Sequence, residues 1–179
     1  MAWHGYSGPP AIQSELHDRY GTEMFMTERS GFGEGSKQEK QDMRDMVHVF
    51  RNWGKSFVKW PVATDENLGP HRGGCAVCTG LVMVHTDDKE AGTVEYTTEY
   101  YTMGQFTKVV INGALRIQSD DNSKVLNVAF QNPDGSLVLI AYNDTDDPQS
   151  FKIVWHGQAL YDTLPANTTV TFVWRGDGR

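Results

Sequence analysis

The sequence has few of the features of a disulfide-rich protein, a membrane protein or a nucleic-acid-binding protein. It contains two cysteines, Cys75 and Cys78, which are too few for a disulfide framework. No stretch approaches the roughly 18 consecutive apolar residues of a membrane span, and no basic segment followed by an apolar one opens the chain, so we expect neither an integral membrane segment nor a signal peptide. Acidic residues outnumber basic ones by 23 to 16, and the net charge of −7 disfavours nucleic acid as a partner.

The predicted elements up to residue 70 alternate between strand and helix. Strands are predicted over residues 2–6, 24–28 and 56–64, and helices over 11–20 and 36–53, where apolar side chains recur at helical spacing. Strands separated by helices of this length predict parallel βαβ units. This part of the chain is therefore predicted to be α/β.

The pattern changes to strands in the second half of the chain. One more helix is predicted over residues 99–111, and after residue 114 apolar and polar side chains alternate with a period of two. The segment Asn132–Gly135 is typical of a hairpin turn, and the apolar run Leu137–Tyr142 is typical of a central strand. Several such strands in succession predict an antiparallel β-sandwich.

The three strands of the α/β part are too few to close a barrel by themselves. A (β/α)8 TIM barrel has eight strands and typically takes ~250 residues. We therefore interpret residues 1–112 as the last three βα units of such a barrel and residues 113–179 as a β-sandwich domain. The expected fold class is α/β plus all-β, in the C-terminal fragment of a longer protein.

Glu28 is the leading candidate for a catalytic residue. It ends a short apolar strand and precedes a glycine-rich loop over residues 30–35, and the carboxyl ends of barrel strands are where catalytic groups lie. His4 and Tyr6 are two residues apart and point to one side of their strand. Each side chain also has an ordinary interpretation: a glutamate there is more often solvated or salt-bridged, and a lone tryptophan such as Trp60 is more often part of the core.

Five segments, in this order, resemble glycoside hydrolase family 30, which includes glucosylceramidases and β-1,6-glucanases. The segments are Trp3–Tyr6, Phe25–Glu28, Trp60–His71, Gly73–Gly80 and Glu99–Lys108. The resemblance extends over nearly the whole chain. The family fold it implies is a (β/α)8 barrel with an attached β-sandwich, in agreement with the interpretation from the residue patterns.

The resemblance also implies a function and the residues that carry it. Glu28 takes the position of the nucleophile of a retaining β-glycoside hydrolase, and His4, Tyr6 and Trp60 become substrate-binding residues around it. The implied substrate is a β-linked glucoside, glucan or glucosylceramide, and no cofactor is implied. Retention requires a second carboxylate roughly 5–5.5 Å from the first.

The sequence departs from the family at two places. Family members often have Asn after the tryptophan of the last barrel strand, where this chain has Pro61. The acid/base glutamate belongs to an Asn-Glu pair on barrel strand four, and these residues contain no such segment, because Asp65-Glu66-Asn67 follows Trp60 on a loop. We therefore expect the fragment to be inactive alone.

The Cys75-x-x-Cys78 pair has several interpretations. A zinc site would need two more ligands at a standard spacing, and a redox pair should open a helix after a βαβ strand. A disulfide that closes a short loop in an exported enzyme is favoured, with two reduced thiols as the simple alternative. The parent protein is accordingly expected to be extracellular, with its signal peptide outside this chain.

A function of another class stays open at this point. The β-sandwich is also typical of a non-catalytic module that binds carbohydrate or supports a neighbouring domain.

Overall fold

The computed structural model describes residues 1–33, 35–87 and 89–175. Residue 34, in the predicted glycine-rich loop, and residues 176–179, the last four of the predicted sandwich domain, lie outside the described part. The chain separates into two units, residues 1–104 and residues 105–179.

The first unit contains the predicted alternation of strands and helices, followed by short strands. Its elements are β1 (Ala2–His4), α1 (Ala11–Tyr20), β2 (Met24–Arg29), α2 (Gly35–Arg51), β3 (Gly54–Lys59), β4 (Ala63–Thr64), β5 (Val82–Val84), β6 (Val94–Tyr96) and most of α3 (Thr98–Thr107).

A parallel three-stranded sheet organises this unit. The strand order is β1-β2-β3, and both pairings are parallel, which confirms the predicted βαβ units. Met24 and Met26 of β2 are fully buried, and so are Met43 and Met46 on one face of α2. Full burial of a methionine side chain contributes ~1.5–3 kcal/mol, so these side chains help to hold α2 against the sheet.

Some predicted boundaries in this unit are wrong. β1 ends at His4, so Tyr6 lies beyond the strand rather than within it. The single strand predicted over 56–64 is two strands, β3 and β4, which are interrupted at Trp60-Pro61. A proline has no backbone N–H to continue a ladder, and the chain changes direction there.

The second predicted helix also ends earlier than expected. α2 stops at Arg51, and Trp53 lies outside it with a left-handed backbone (φ 68°). The Trp53 ring is exposed and stacks on His17, with 3.9 Å between the ring centroids. Within the described residues, no helix is both long and apolar enough to cross a membrane.

The second unit consists almost entirely of strands. They are β7 (Leu115–Ile117), β8 (Val125–Gln131), β9 (Ser136–Asn143), β10 (Gln149–Trp155), β11 (Gln158–Leu164) and β12 (Thr169–Arg175). One antiparallel sheet has the order β12-β9-β8-β7, and β10 and β11 form a second, two-stranded sheet. The predicted central position of the 137–142 run is confirmed, because β9 lies between β12 and β8.

Aromatic side chains connect the two sheets of this sandwich. Phe151 of β10 contacts Phe172 of β12 edge to face at 6.0 Å between centroids, and Trp155 meets Trp174 in the same way at 6.3 Å. Edge-to-face packing at this distance is favourable for aromatic pairs. The predicted β-sandwich is therefore confirmed, with β11 as a strand that the sequence pattern did not predict.

Candidate active site at the carboxyl ends of the parallel strands

The parallel sheet brings the predicted site residues to one edge. β1, β2 and β3 run in the same direction, so their carboxyl ends lie together. The pairing register places His4, the last residue of β1, beside Glu28 of β2. The backbone N–H of Trp60, just after β3, donates to the carbonyl oxygen of Arg29 at 3.1 Å.

Tyr6 and His4 both lie next to the Glu28 carboxylate. The Tyr6 hydroxyl donates a hydrogen bond of 2.9 Å to Glu28 Oε1, and His4 Nδ1 lies 3.7 Å from the same oxygen. Partial burial and the nearby Glu28 carboxylate raise the pKa of the Tyr6 hydroxyl, so its proton stays on Tyr6. The Glu28 side chain remains 32% exposed, which leaves the carboxylate accessible.

Trp60 offers an open aromatic face near this edge. The residue is 42% exposed and is therefore not a core residue. A β-carbon on Gly74 would stand 3.7 Å from the Trp60 ring, so the loop that carries Gly74 lies against it. The structure joins Trp60 to the site through the backbone of Arg29, whereas His4, Tyr6 and Glu28 meet through their side chains.

A buried charge cluster lies behind the site. Lys59, the last residue of β3, contacts Asp42 Oδ1 of α2 at 2.7 Å and Glu99 Oε2 of α3, and the three side chains are 1%, 0% and 1% exposed. Gln38 Nε2 donates to Asp42 Oδ1 at 2.8 Å, and Thr102 Oγ1 donates to Asp42 Oδ2 at 2.8 Å. Burial raises the pKa of Glu99, and the nearby Lys59 ammonium offsets this in part.

This cluster is tied to the loop that follows Glu28. The Phe32 backbone N–H donates to Gln38 Oε1 at 3.0 Å, and Thr79, whose hydroxyl donates to Glu99, also donates its backbone N–H to the Gly31 carbonyl at 3.0 Å. A β-carbon on Gly31 would overlap the Glu99 carboxylate. Residue 31 therefore has to be glycine for the loop and the carboxylate to pack as they do.

A comparison with known protein families assigns the β-sandwich to a family. The glycosyl hydrolase family 30 β-sandwich domain matches residues 113–172. The sandwich unit of this chain belongs to glycoside hydrolase family 30. This confirms the family that the sequence resembles.

Similar proteins cover nearly the whole of this chain. An endo-1,6-β-D-glucanase of Neurospora crassa is 31% identical over 189 residues, 98% of this chain and 36% of that protein. An endo-1,6-β-D-glucanase of Trichoderma harzianum is 28% identical over 185 residues, 97% of this chain and 36% of that protein. The solved endo-β1,6-glucanase BT3312 is 26% identical, with a TM-score of 0.86 over 97% of this chain and 40% of its own.

The chain thus spans 36% of the length of these curated relatives. The solved structure of SrfJ from Salmonella typhimurium, at 21% identity and a TM-score of 0.89, has the same fold over 97% of this chain. The glycoside hydrolases among these relatives share both units of the chain, not the sandwich alone.

The buried charges of the first unit were not predicted from the sequence. Asp42, Lys59 and Glu99 are far apart in sequence, and no spacing rule connects them. One signal was available: Phe57 and Lys59 are two apart on β3, so the lysine shares a face with a buried aromatic residue. A lysine on such a face needs a buried partner.

The loop beyond β4 carries the two cysteines. The structure joins the Cys75 and Cys78 sulfur atoms, with 5.6 Å between the Cα atoms. Cys78 is buried, and His71 Nδ1 lies 3.0 Å from the Cys75 carbonyl oxygen. Among the described residues, no group of three or more His, Cys, Asp or Glu side chains is arranged to hold a metal ion.

We expect a disulfide between these cysteines in the protein isolated from an oxidising compartment. Unreduced peptides that span residues 75–78 should be lighter by two hydrogens in mass spectrometry. The Cys75→Ser/Cys78→Ser double variant should lose at most about 2 kcal/mol, because closing so short a loop removes little entropy from the unfolded chain. Two free thiols, or stoichiometric zinc, would contradict this prediction.

Proposed function

We propose that this chain supplies the nucleophile half of the active site of a retaining β-glycoside hydrolase, and that Glu28 is the nucleophile. The observation that carries the proposal is the accessible Glu28 carboxylate at the end of β2, which accepts a hydrogen bond from Tyr6. Attack of Glu28 on the anomeric carbon breaks the glycosidic bond and forms a glycosyl ester, while a second carboxyl group protonates the departing oxygen; the same carboxylate then takes a proton from the water that hydrolyses the ester. The Tyr6 hydroxyl holds the attacking carboxylate in one orientation.

The second carboxylate is proposed to come from a part of the protein outside these 179 residues. In this proposal residues 1–112 are the last three βα units of a (β/α)8 barrel and residues 113–179 are the attached sandwich. The three parallel strands, whose carboxyl ends converge on Glu28, and the coverage of only 36% of the curated relatives support it. Five further strands would close the barrel and bring the acid/base glutamate within ~5–5.5 Å of Glu28.

We propose a β-1,6-linked glucan as the substrate. Three similar curated proteins and one similar solved structure are named as endo-1,6-β-glucanases. The exposed ring of Trp60 provides the kind of flat apolar surface on which a sugar ring packs. Glucosylceramide, the other substrate class of the family, finds no support among the names of these relatives and serves as the comparison substrate.

An extracellular location is part of the same proposal. The bonded sulfur atoms of Cys75 and Cys78 support it, since disulfides persist in oxidising compartments. A polysaccharide substrate is also met outside the cell.

The substrate can be tested with the protein expressed from its natural gene. We expect oligosaccharide release from β-1,6-glucan, with kcat/KM at least about tenfold above that on glucosylceramide, since linkage and aglycone contacts discriminate by this order. β-1,3-glucan, which has the same sugar and another linkage, is the matched control. Binding of β-1,6-glucan without cleavage would favour the non-catalytic module, and a preference for glucosylceramide would overturn the proposed substrate.

A further inference from the structure

Arg29 connects the helix side of the sheet to the site residues. It follows Glu28 at the end of β2, where the pairing with β3 is irregular between Met26 and Arg29, and its side chain reaches α2. Its side chain is 15% exposed, and its Nε donates to Asp45 Oδ2 of α2 at 2.6 Å. The guanidinium carbon lies 5.7 Å from the centre of the Tyr6 ring, within the distance at which a cation is attracted to an aromatic face.

The backbone between His4 and Tyr6 leaves room for this arginine. A β-carbon on Gly5 would stand 3.1 Å from Arg29 Cδ and 3.3 Å from Met26 Cε, so a larger residue would press on the arginine stem. The Gly5 backbone N–H also donates to the Glu28 carbonyl at 2.9 Å. Arg29 therefore lies closely against the turn that carries Tyr6.

Asp45 anchors the other end of the arginine. Burial raises the pKa of the Asp45 carboxyl, whereas the Arg29 guanidinium lowers it. Asp42 and Lys59, which also act on Asp45, belong to the buried cluster behind the site. The short contact to Asp45 is charge-assisted and gives the guanidinium a defined position.

We propose that Arg29 is a positioning residue that acts through Tyr6. Asp45 holds the guanidinium in place, the guanidinium holds the Tyr6 ring, and the Tyr6 hydroxyl then donates to Glu28 Oε1. Tyr6 is 43% exposed; its ring also contacts the rings of His4 and Phe32, at 6.1 and 6.5 Å between centroids, and its hydroxyl also contacts Ser30 Oγ at 2.8 Å. The guanidinium adds a contact over the face of the ring. This inference rests on the proposed function, because Tyr6 and Glu28 act together only in that reaction.

A double-mutant cycle in the protein expressed from its natural gene tests the inference. Arg29→Met keeps the stem and removes the charge, and it should lower kcat about five- to tenfold, as expected for the loss of a contact of cation–π strength. In a Tyr6→Phe background, which lacks the hydroxyl, the same change should cost less than about twofold. Arg29→Lys keeps the charge without the planar fork and should restore part of the activity.

The matched control is Lys55→Met on β3, which removes a positive charge from an exposed pair with Glu23. It should leave kcat unchanged. Equal effects of Arg29→Met in the wild-type and Tyr6→Phe backgrounds would overturn the inference, since the arginine would then act independently of the hydroxyl.

A crystal structure of the Arg29→Met variant separates this inference from the proposed function. We expect the Tyr6 hydroxyl to move beyond hydrogen-bond distance of Glu28, more than about 3.5 Å away, with β2 unchanged. An unmoved Tyr6 ring would overturn the positioning role. A wild-type protein that cleaves no glycan would refute the proposed function, while the position of Tyr6 in the variant would still decide the role of Arg29.

Discussion

Glu28→Gln is expected to lower kcat on β-1,6-glucan by about four orders of magnitude or more, the scale of losing a covalent nucleophile. A glutamine amide cannot form the glycosyl ester, although it has the same shape and can still accept a hydrogen bond from Tyr6. The fold should therefore be preserved. Initial rates of oligosaccharide release, with thermal unfolding as the check on folding, measure the effect.

Glu23→Gln is the matched control for this prediction. Glu23 immediately precedes β2, is exposed, and pairs with Lys55, so its change should leave kcat unaltered. A fluorinated β-glucoside that traps the intermediate should label the peptide that contains Glu28 in the wild-type protein. Labelling of another residue, or substantial activity in Glu28→Gln, would refute the assignment of the nucleophile.

Lys59→Met is expected to destabilise the protein by about 3–5 kcal/mol, the usual result of removing one partner from a buried ion pair. The change leaves the Asp42 and Glu99 carboxylates buried without their common cation. Urea unfolding of the protein expressed from its natural gene would measure the loss. Lys55→Met, on the same strand, removes an exposed charge and should stay within about 0.5 kcal/mol of wild type.

The pH dependence of the loss in unfolding free energy shows whether Lys59→Met acts through lost charge pairing or through lost packing. Burial raises the pKa of Glu99 above its value in the unfolded chain. A carboxyl of this kind favours the folded state most at pH below its unfolded pKa, and this stability is lost as the pH rises through the folded pKa. Without Lys59 the folded pKa rises further, so the deficit of Lys59→Met should grow from acidic to neutral pH. A deficit independent of pH would contradict the role of the cluster.

The elements that could be predicted from the sequence are those whose structure follows from the pattern of their own residues. The apolar run of β9 and the helices between the parallel strands belong to this class. The last helix does not: the apolar residues up to Ile111 predicted its continuation, yet it ends at Thr107. The Asn132 side chain donates to the Val109 carbonyl at 2.9 Å and accepts from the Ile111 N–H at 3.2 Å, so a contact with a distant residue replaces the helical hydrogen bonds.

The candidate site shows the same limit. Glu28 could be proposed from the strand and loop around it, and Tyr6 from its spacing to His4, although the strand proved too short to contain Tyr6. The partners Asp45, Asp42 and Glu99 reach the sheet from α2 and α3, and only the folded chain brings them near β2 and β3. Strand β11 was not predicted because most of its side chains are exposed, so its sequence does not show the apolar alternation of a half-buried strand.

The close approach of Gly31 to the Glu99 carboxylate makes these two positions interdependent in evolution. Because any β-carbon on residue 31 would overlap that carboxylate, the loop can gain a side chain only after residue 99 has become shorter. Shortening residue 99 first, in turn, leaves Lys59 with one carboxylate partner fewer. Either single substitution therefore gives a less stable protein. Natural or directed evolution can change this loop beside Glu28 only through such a destabilised variant.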